Sequence, residues 1–164
     1  SGELFATEMG RDHLGDDLPP DEINIIKEDR GYGWPFCYGK QVYDSVFAGI
    51  NNCDLSEPSL IDLPAHVSPL GFTFIPDSWE EHAGDMLVAL HGSWNRSVPV
   101  GYSIVRFEKT TSGYSEFPKP FLEGFLTDDG GALGRPVDLV FDDNGTLYMS
   151  DDKTGIIYTI RQLK

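Results

Sequence analysis

Residues 137–162 read VDLVFDDNGTLYMSDDKTGIIYTIRQ, three short runs in which apolar and polar side chains alternate: Val137 to Phe141, Thr146 to Ser150 and Ile156 to Ile160. Alternation with a period of two is the mark of a half-buried strand. Between the first two runs lies Asp143-Asn144-Gly145, whose Asn-Gly pair accepts the positive φ of a tight hairpin turn. The stretch is therefore a predicted three-strand meander. The pattern recurs from Gly71 as GFTFIPD, GDMLVALHG and VGYSIVRFE, and again at the start as GELFATEMG followed, after an acidic loop, by DEINIIKE. Repetition of one strand–turn–strand unit predicts blades of a β-propeller separated by loops of uneven length. The expectation is an all-β chain, a single partial propeller domain over residues 1–164. Its repeats fall approximately at 1–45, 65–110 and 130–164, with a loop insertion at 40–64. That is about 2.5–3 four-stranded antiparallel blades, the first lacking its innermost strand. A propeller needs at least four blades to close, so further sequence, a second chain or self-association would complete the ring. Only DSWEEHAG, Asp77 to Gly84, suggests a helical turn.

Composition agrees. The chain has 18 Gly, 11 Pro, 10 Phe, 7 Tyr and 3 Trp in 164 residues, with 40% hydrophobic residues, which favours short strands and turns around one core. Twelve Lys and Arg face 27 Asp and Glu, a formal charge of −15. Such a charge excludes a nucleic-acid backbone or an anionic membrane surface as natural partners and favours cations. No apolar run is long enough for a spanning helix, and SGELFATE has neither the basic start nor the apolar segment of an export signal. The chain reads as beginning within a repeat. Cys37 in GWPFCYGK and Cys53 in INNCDLS lie in turn-rich sequence without metal spacing. A disulfide between them is expected, worth about 3 kcal/mol through the unfolded state, with two buried thiols as the alternative. A bridge implies an oxidising compartment, periplasmic or extracellular.

The loops carry the chemistry. Asp12, Asp16, Asp17, Asp21 and Glu22 crowd into GRDHLGDDLPPDE. Carboxylates this close repel one another unless cations compensate, and hard oxygens between turn residues suit Ca²⁺. The spacing is not that of an EF-hand, and a solvated acidic loop is the alternative. HGSWNR, His91 to Arg96, offers an imidazole, an indole, an amide and a guanidinium, a set suited to a planar anionic ligand. The alternative is a structural loop with Trp94 packed and Arg96 paired to a surface acid. Arg135 in GGALGRP precedes an innermost strand and is expected to point to the ring axis. His13, His66 and His82 lack metal spacing and read as surface or packing residues. Asn95-Arg96-Ser97 and Asn144-Gly145-Thr146 also fit a glycosylation pattern.

Three stretches, residues 2–40, HGSWNRSVPVGY and GRPVDLVFDDNGTLYMSDDKTGIIYTIR, resemble the C-terminal part of the soluble quinoprotein glucose/sorbosone (aldose sugar) dehydrogenases. The resemblance implies a six-bladed propeller holding pyrroloquinoline quinone (PQQ) and Ca²⁺, with a small sugar as substrate. It implies that Gly10 and Arg11 offer backbone carbonyls to the Ca²⁺ beside the quinone, with Asp21 near. Glu22 and the Tyr32 carbonyl would serve a second, structural Ca²⁺. Arg135 would pair with a cofactor carboxylate, and His91, Asn95, Arg96 and Arg11 would complete the cofactor side. Departures are Arg11 where some members have proline, Val137 where some have a second arginine, and no lysine in HGSWNR. The family's general-base histidine lies in an earlier blade, so no catalytic residue is assigned. The rivals are a non-catalytic Ca²⁺-binding propeller module and a Ca²⁺-dependent lactonase-like propeller. Exposed edges of an incomplete ring predict self-association or a missing N-terminal half.

Overall fold

The computed structural model describes residues 2–47, 49 and 52–162. Fourteen strands run in chain order: β1 (Leu4–Glu8), β2 (Asp21–Ile26), β3 (Cys37–Tyr38), β4 (Val42–Tyr43), β5 (Ile61–Leu63), β6 (Pro69–Phe74), β7 (Met86–Leu90), β8 (Ser103–Phe107), β9 (Lys109–Thr110), β10 (Gly113–Tyr114), β11 (Lys119–Leu122), β12 (Pro136–Phe141), β13 (Leu147–Asp151) and β14 (Ile156–Ile160). They form three main antiparallel sheets, β1-β2-β5, then β11-β8-β7-β6, then β12-β13-β14, with two small hairpins, β3-β4 and β9-β10.

The three predicted meanders are present at nearly the expected residues. In the third, the Asn-Gly turn brings Phe141 opposite Leu147, and Gly145 takes φ 77°. Two expectations change. Four strands occur only in the second sheet among the described residues. Within the anticipated 40–64 insertion, Ile61–Leu63 is a strand that pairs with β2, too short for its alternation to stand out in sequence. Asp77–His82, where one helical turn is expected, forms two short 3₁₀ turns that meet in a kink at Trp79.

The sheets stack, and two apolar layers lie between them. Ile23, Ile61, Leu63, Val67, Met86, Val88, Leu90 and Phe107 fill the first. Ile75, Trp79, Leu87, Ala89, Ile104, Leu139, Leu147 and Met149 fill the second. Strand β7, MLVAL, is buried at every position because its alternate residues serve both layers, which is why it reads as a continuous apolar run. At Gly71 the second and third sheets touch: a Cβ there would lie 2.7 Å from Asp138 Cα and 2.9 Å from the Val137 carbonyl. Cys37 and Cys53 form the expected disulfide, with Cα atoms 5.8 Å apart. It ties the β3-β4 hairpin to the turn at Cys53–Leu55.

Candidate cation and cofactor site

Antiparallel pairing of β1 with β2 sets Glu8 directly opposite Glu22, and pairing of β2 with β5 sets Glu22 opposite Asp62. Directly opposed residues share a sheet face, so three carboxylates line up across three strands. Asn24, two positions along β2, is on the same face. Its amide donates to Glu22 Oε2 at 3.1 Å and Glu8 Oε2 at 3.4 Å, while its buried Oδ1 has no partner. Glu22 is buried and accepts from the Gly39 amide. Burial raises its pKa, partly opposed by the Gly39 and Asn24 bonds. Glu8 is pushed up to about 7, first by burial and then by the charges of Glu22 and Asp21.

Asp21 starts β2 and is fully buried. Its carboxylate accepts from the Gly10 amide at 2.8 Å and from the Ser68 amide at 2.7 Å. Burial drives its pKa up against those two bonds. Asp21 thereby fixes the backbone at Gly10, the residue expected to present a carbonyl to a cation. Arg11 follows. Its guanidinium forks onto Asp44 at 2.6 and 3.0 Å, which holds the Asp44 carboxyl below its ordinary range. With the side chain engaged, Arg11 has its backbone carbonyl to offer. The Tyr32 hydroxyl donates to the Ile25 carbonyl at 2.9 Å and accepts from the Lys27 amide at 2.7 Å, tethering its loop to the end of β2.

The acidic loop and the HGSWNR loop, far apart in sequence, lie against each other. Asn95 donates to Asp12 at 2.6 Å, the Ser97 amide donates to Asp16 at 3.1 Å, and Arg96 pairs with Asp17 at 3.1 Å while also donating to the Ala65 carbonyl. Beneath them sits His66, 3% exposed. Its Nε2 is 2.9 Å from the Gly15 carbonyl. A carbonyl only accepts, so Nε2 carries the proton, and Nδ1 accepts from Asn95 at 3.3 Å. Asn95 Oδ1 and Arg96 Nε are buried without partners. Trp94 is exposed rather than packed.

Arg135 and His91 form a second cluster. Arg135 donates to the Gly92 carbonyl and the Tyr102 hydroxyl, both at 3.0 Å, and stacks 4.7 Å above the Tyr102 ring. Its Nη1 also lies 3.3 Å from His91 Nδ1. Because a guanidinium only donates, His91 is protonated at Nε2, which donates to Asp152 at 3.0 Å.

Of the residues singled out from sequence, Gly10, Arg11, Asp21 and Glu22 cluster at the β1–β2 end, Asn95 and Arg96 meet the acidic loop, and Arg135 joins His91. Sequence reasoning missed Glu8, Asn24, Asp44, Tyr102 and the buried role of His66. The strand register, had it been drawn from the LFATE and DEINII pairing, would have placed Glu8 opposite Glu22. Among the described residues no three His, Cys, Asp or Glu side chains converge closely enough to form a ready metal cage. The donors present are hard oxygens, and an orphaned buried amide oxygen beside two crowded carboxyls is the demand a Ca²⁺ would meet. The residues fit that ion. For a quinone the fit is partial, because all three guanidiniums expected at the cofactor are held by the protein's own acceptors: Arg11 by Asp44, Arg96 by Asp17 and the Ala65 carbonyl, Arg135 by the Gly92 carbonyl and the Tyr102 hydroxyl.

Residues 39–163 match the TrAA12-like family. An uncharacterized protein of Borreliella burgdorferi is 38% identical over 98% of this chain, which spans 44% of that protein. The calcium structure of a Trichoderma reesei carbohydrate-active enzyme of family AA12 superposes with a TM-score of 0.75 at 25% identity, over 99% of this chain and 49% of that one. The holo pyranose dehydrogenase PQQ domain from Coprinopsis cinerea superposes at 0.67 and 22%, over 98% and 51%. The chain thus spans about half the length of these relatives, and the resemblance to part of the quinoprotein sugar dehydrogenases is borne out.

Proposed function

This chain belongs to the TrAA12-like family, and from that premise we propose that it is a Ca²⁺-binding portion of a PQQ-dependent sugar dehydrogenase-like propeller, supplying the metal and part of the cofactor cradle. In this reading residues 1–164 are one partial domain, the three main sheets are blades of a six-bladed ring, and the compartment is periplasmic or extracellular. The disulfide is consistent with that compartment, and no described helix is long and apolar enough to cross a membrane.

The observation that carries the reading is the pair of crowded carboxyls, Glu8 and Glu22, bridged by the Asn24 amide nitrogen beside the fixed backbone of Gly10. Gly10 and Arg11 would offer carbonyls to a cation at the quinone, with Asp21 holding them in place. Glu22, with the Tyr32 carbonyl, would hold a second ion. Arg135, His91, Asn95 and Arg96 would face the cofactor carboxylates, and Arg96 becomes free only when it leaves both the exposed Asp17 and the Ala65 carbonyl. When bound, the quinone supplies a hydride acceptor for a sugar. The chain contributes positioning and charge, and none of its residues is assigned as the base that takes the substrate proton. A second reading, a Ca²⁺-dependent binding module without redox chemistry, is favoured by the engagement of Arg96 and Arg135 with the protein's own acceptors.

Calorimetric titration with Ca²⁺, then PQQ with sugar and a redox dye, separates these. Loss of one of two bound Ca²⁺ ions in Glu22→Gln, with quinone absorbance retained on the protein, supports the first reading. Ca²⁺ binding without quinone supports the second, and no Ca²⁺ binding at millimolar concentration removes both.

A further inference from the structure

Trp34 stands on the ridge between two clefts. On one side it lines the narrow cleft of Glu8, Gly10, Arg11 and Glu22, where the cation is proposed. On the other it walls an open groove of about 220 Å³ together with Tyr32, Phe36, Asn52, Leu55 and Ser56. Its side chain is 63% exposed and Leu55 is 74% exposed, whereas Trp79 is drawn into the core. Among the described residues no charged side chain lines the groove, in a chain of which 24% is Asp, Glu, Lys or Arg. The walls are fixed in advance. The Phe36 and Cys37 amides donate to the Gly33 carbonyl at 2.9 and 3.0 Å, and the Glu57 amide donates to the Gly31 carbonyl at 2.8 Å. The Cys37–Cys53 disulfide joins the segment of Trp34 to that of Asn52 and Leu55. Gly33 takes φ 98°, and a Cβ there would lie 2.8 Å from the Cys37 carbonyl oxygen. Asn52 Oδ1 accepts from the Asp54 amide at 3.1 Å, which leaves the Asn52 amide nitrogen as a donor.

We infer that Trp34 and this groove form a distal subsite for one neutral sugar ring of an oligosaccharide whose reacting end lies in the Glu8–Glu22 cleft. The substrate class is then a short glycan, not a lone monosaccharide. The inference deepens the sugar dehydrogenase reading and rests on it for the reacting end alone. The chemistry of the groove selects the occupant. An indole offers its face to the C–H side of a pyranose, while the Asn52 amide and the Ser56 hydroxyl meet its hydroxyl rim. A charged ligand would find no counter-charge there, and a wholly apolar one would leave the Asn52 donor unpaired. The volume is below the roughly 300 Å³ that encloses a whole small ligand, so the groove suits one ring of a longer molecule. Because Trp34 belongs to both clefts, a chain crossing it has one ring on each side. Walls held by backbone hydrogen bonds and a disulfide lower the ordering cost of binding, and contacts made by a remote ring can be used to position the reacting one.

The test titrates the 164-residue chain with maltotriose, cellotriose and glucose, with and without Ca²⁺, and follows the indole N–H resonances of its 3 tryptophans. One of the two trisaccharides is expected to shift the Trp34 resonance, to leave that of buried Trp79 in place, and to bind at least tenfold more tightly than glucose. Trp34→Ala should lower trisaccharide affinity at least tenfold, and Trp34→Phe, which keeps an aromatic face, should recover most of it. Leu55→Arg, at an exposed position, sends a long charged side chain across the groove and should weaken the trisaccharide as much as Trp34→Ala does. Ca²⁺ titration of the same variants separates this inference from the cation reading. A trisaccharide shift of Trp34 in a chain that binds no Ca²⁺ supports the subsite while removing the cation. Ca²⁺ binding with no shift of Trp34 by either trisaccharide at millimolar concentration overturns the subsite alone. Glucose binding as tightly as the trisaccharides overturns it as well, as does an affinity indifferent to both Trp34→Ala and Leu55→Arg. A concentration-dependent dimer of the chain, lost in Trp34→Ala, overturns it in favour of a second copy on the groove.

Discussion

Replacing Glu8 with Gln tests the electrostatics of the β1–β2 face directly. Glu8 is half-open, faces Glu22 and titrates at about 7 instead of 4.5. At about 1.4 kcal/mol per tenfold change, that displacement corresponds to roughly 3 kcal/mol, which solvent screening at a half-exposed site reduces to roughly 1–2 kcal/mol. The sign follows from proton linkage. Below pH 4.5 the group is protonated in folded and unfolded chains alike, so the favourable contribution of the raised pKa is fully present. Between pH 4.5 and 7 the unfolded chain ionises while the folded one retains its proton, and stability falls. Above pH 7 the folded protein carries an ionised Glu8 against Glu22. Glutamine cannot ionise, so in chelator E8Q is expected to match the native protein near pH 4 and to exceed it by about 1–2 kcal/mol at pH 8.5. Urea unfolding at the two pH values measures this. With millimolar Ca²⁺ the ordering at pH 8.5 should reverse, because the carboxylate is then a ligand. An identical E8Q effect at both pH values in chelator would falsify the assignment of the strain to Glu8.

His66→Ala should free the acidic loop: with the Gly15 carbonyl and Asn95 losing their shared partner, amides of residues 10–20 are expected to exchange faster and local stability to fall by about 1–2 kcal/mol. His66→Gln, which keeps a donor for Gly15, should recover most of the protection; equal exchange in both variants would show that His66 acts by packing alone. Gly71→Ala places a methyl against the backbone of β12, where nothing flexible can yield, and is expected to cost about 1–3 kcal/mol in urea unfolding.

The meanders were legible because a two-residue period repeated over five or six positions, bounded by Asn-Gly or by a glycine, admits few other readings. Strands β3, β4 and β5 were not, since two or three residues cannot establish a period and β5 exists through its pairing with β2. The cysteine pair was legible from count and context. The acidic loop was visible as charge, but its partners were not: Asp12 meets Asn95 across 83 residues of sequence, and no local pattern encodes that. His66 read as a packing histidine, and it is buried; what the sequence withheld is that its two ring nitrogens join the loops expected to hold cation and cofactor.

The density of negative charge near the N-terminus has two different resolutions. In the loop, Asp12, Asp16 and Asp17 are each met by a donor from the HGSWNRS segment, so the chain neutralises that part of its charge itself. Asp21 is met by two backbone amides. The carboxyls on the strands fare otherwise. Glu8 and Glu22 share one asparagine amide, Glu8 stays protonated up to about pH 7, and an amide oxygen is left unpaired. The uncompensated demand for positive charge is thus displaced from the loop, where the acidic residues are densest in sequence, to the strand pair beside it. A hard divalent ion between Glu8 and Glu22 would relieve both carboxyls at once. Titration calorimetry on Asp17→Asn and Glu22→Gln compares the two places: the first is expected to leave Ca²⁺ affinity within about twofold and the second to lower it at least tenfold, and the opposite ranking would return the cation to the loop.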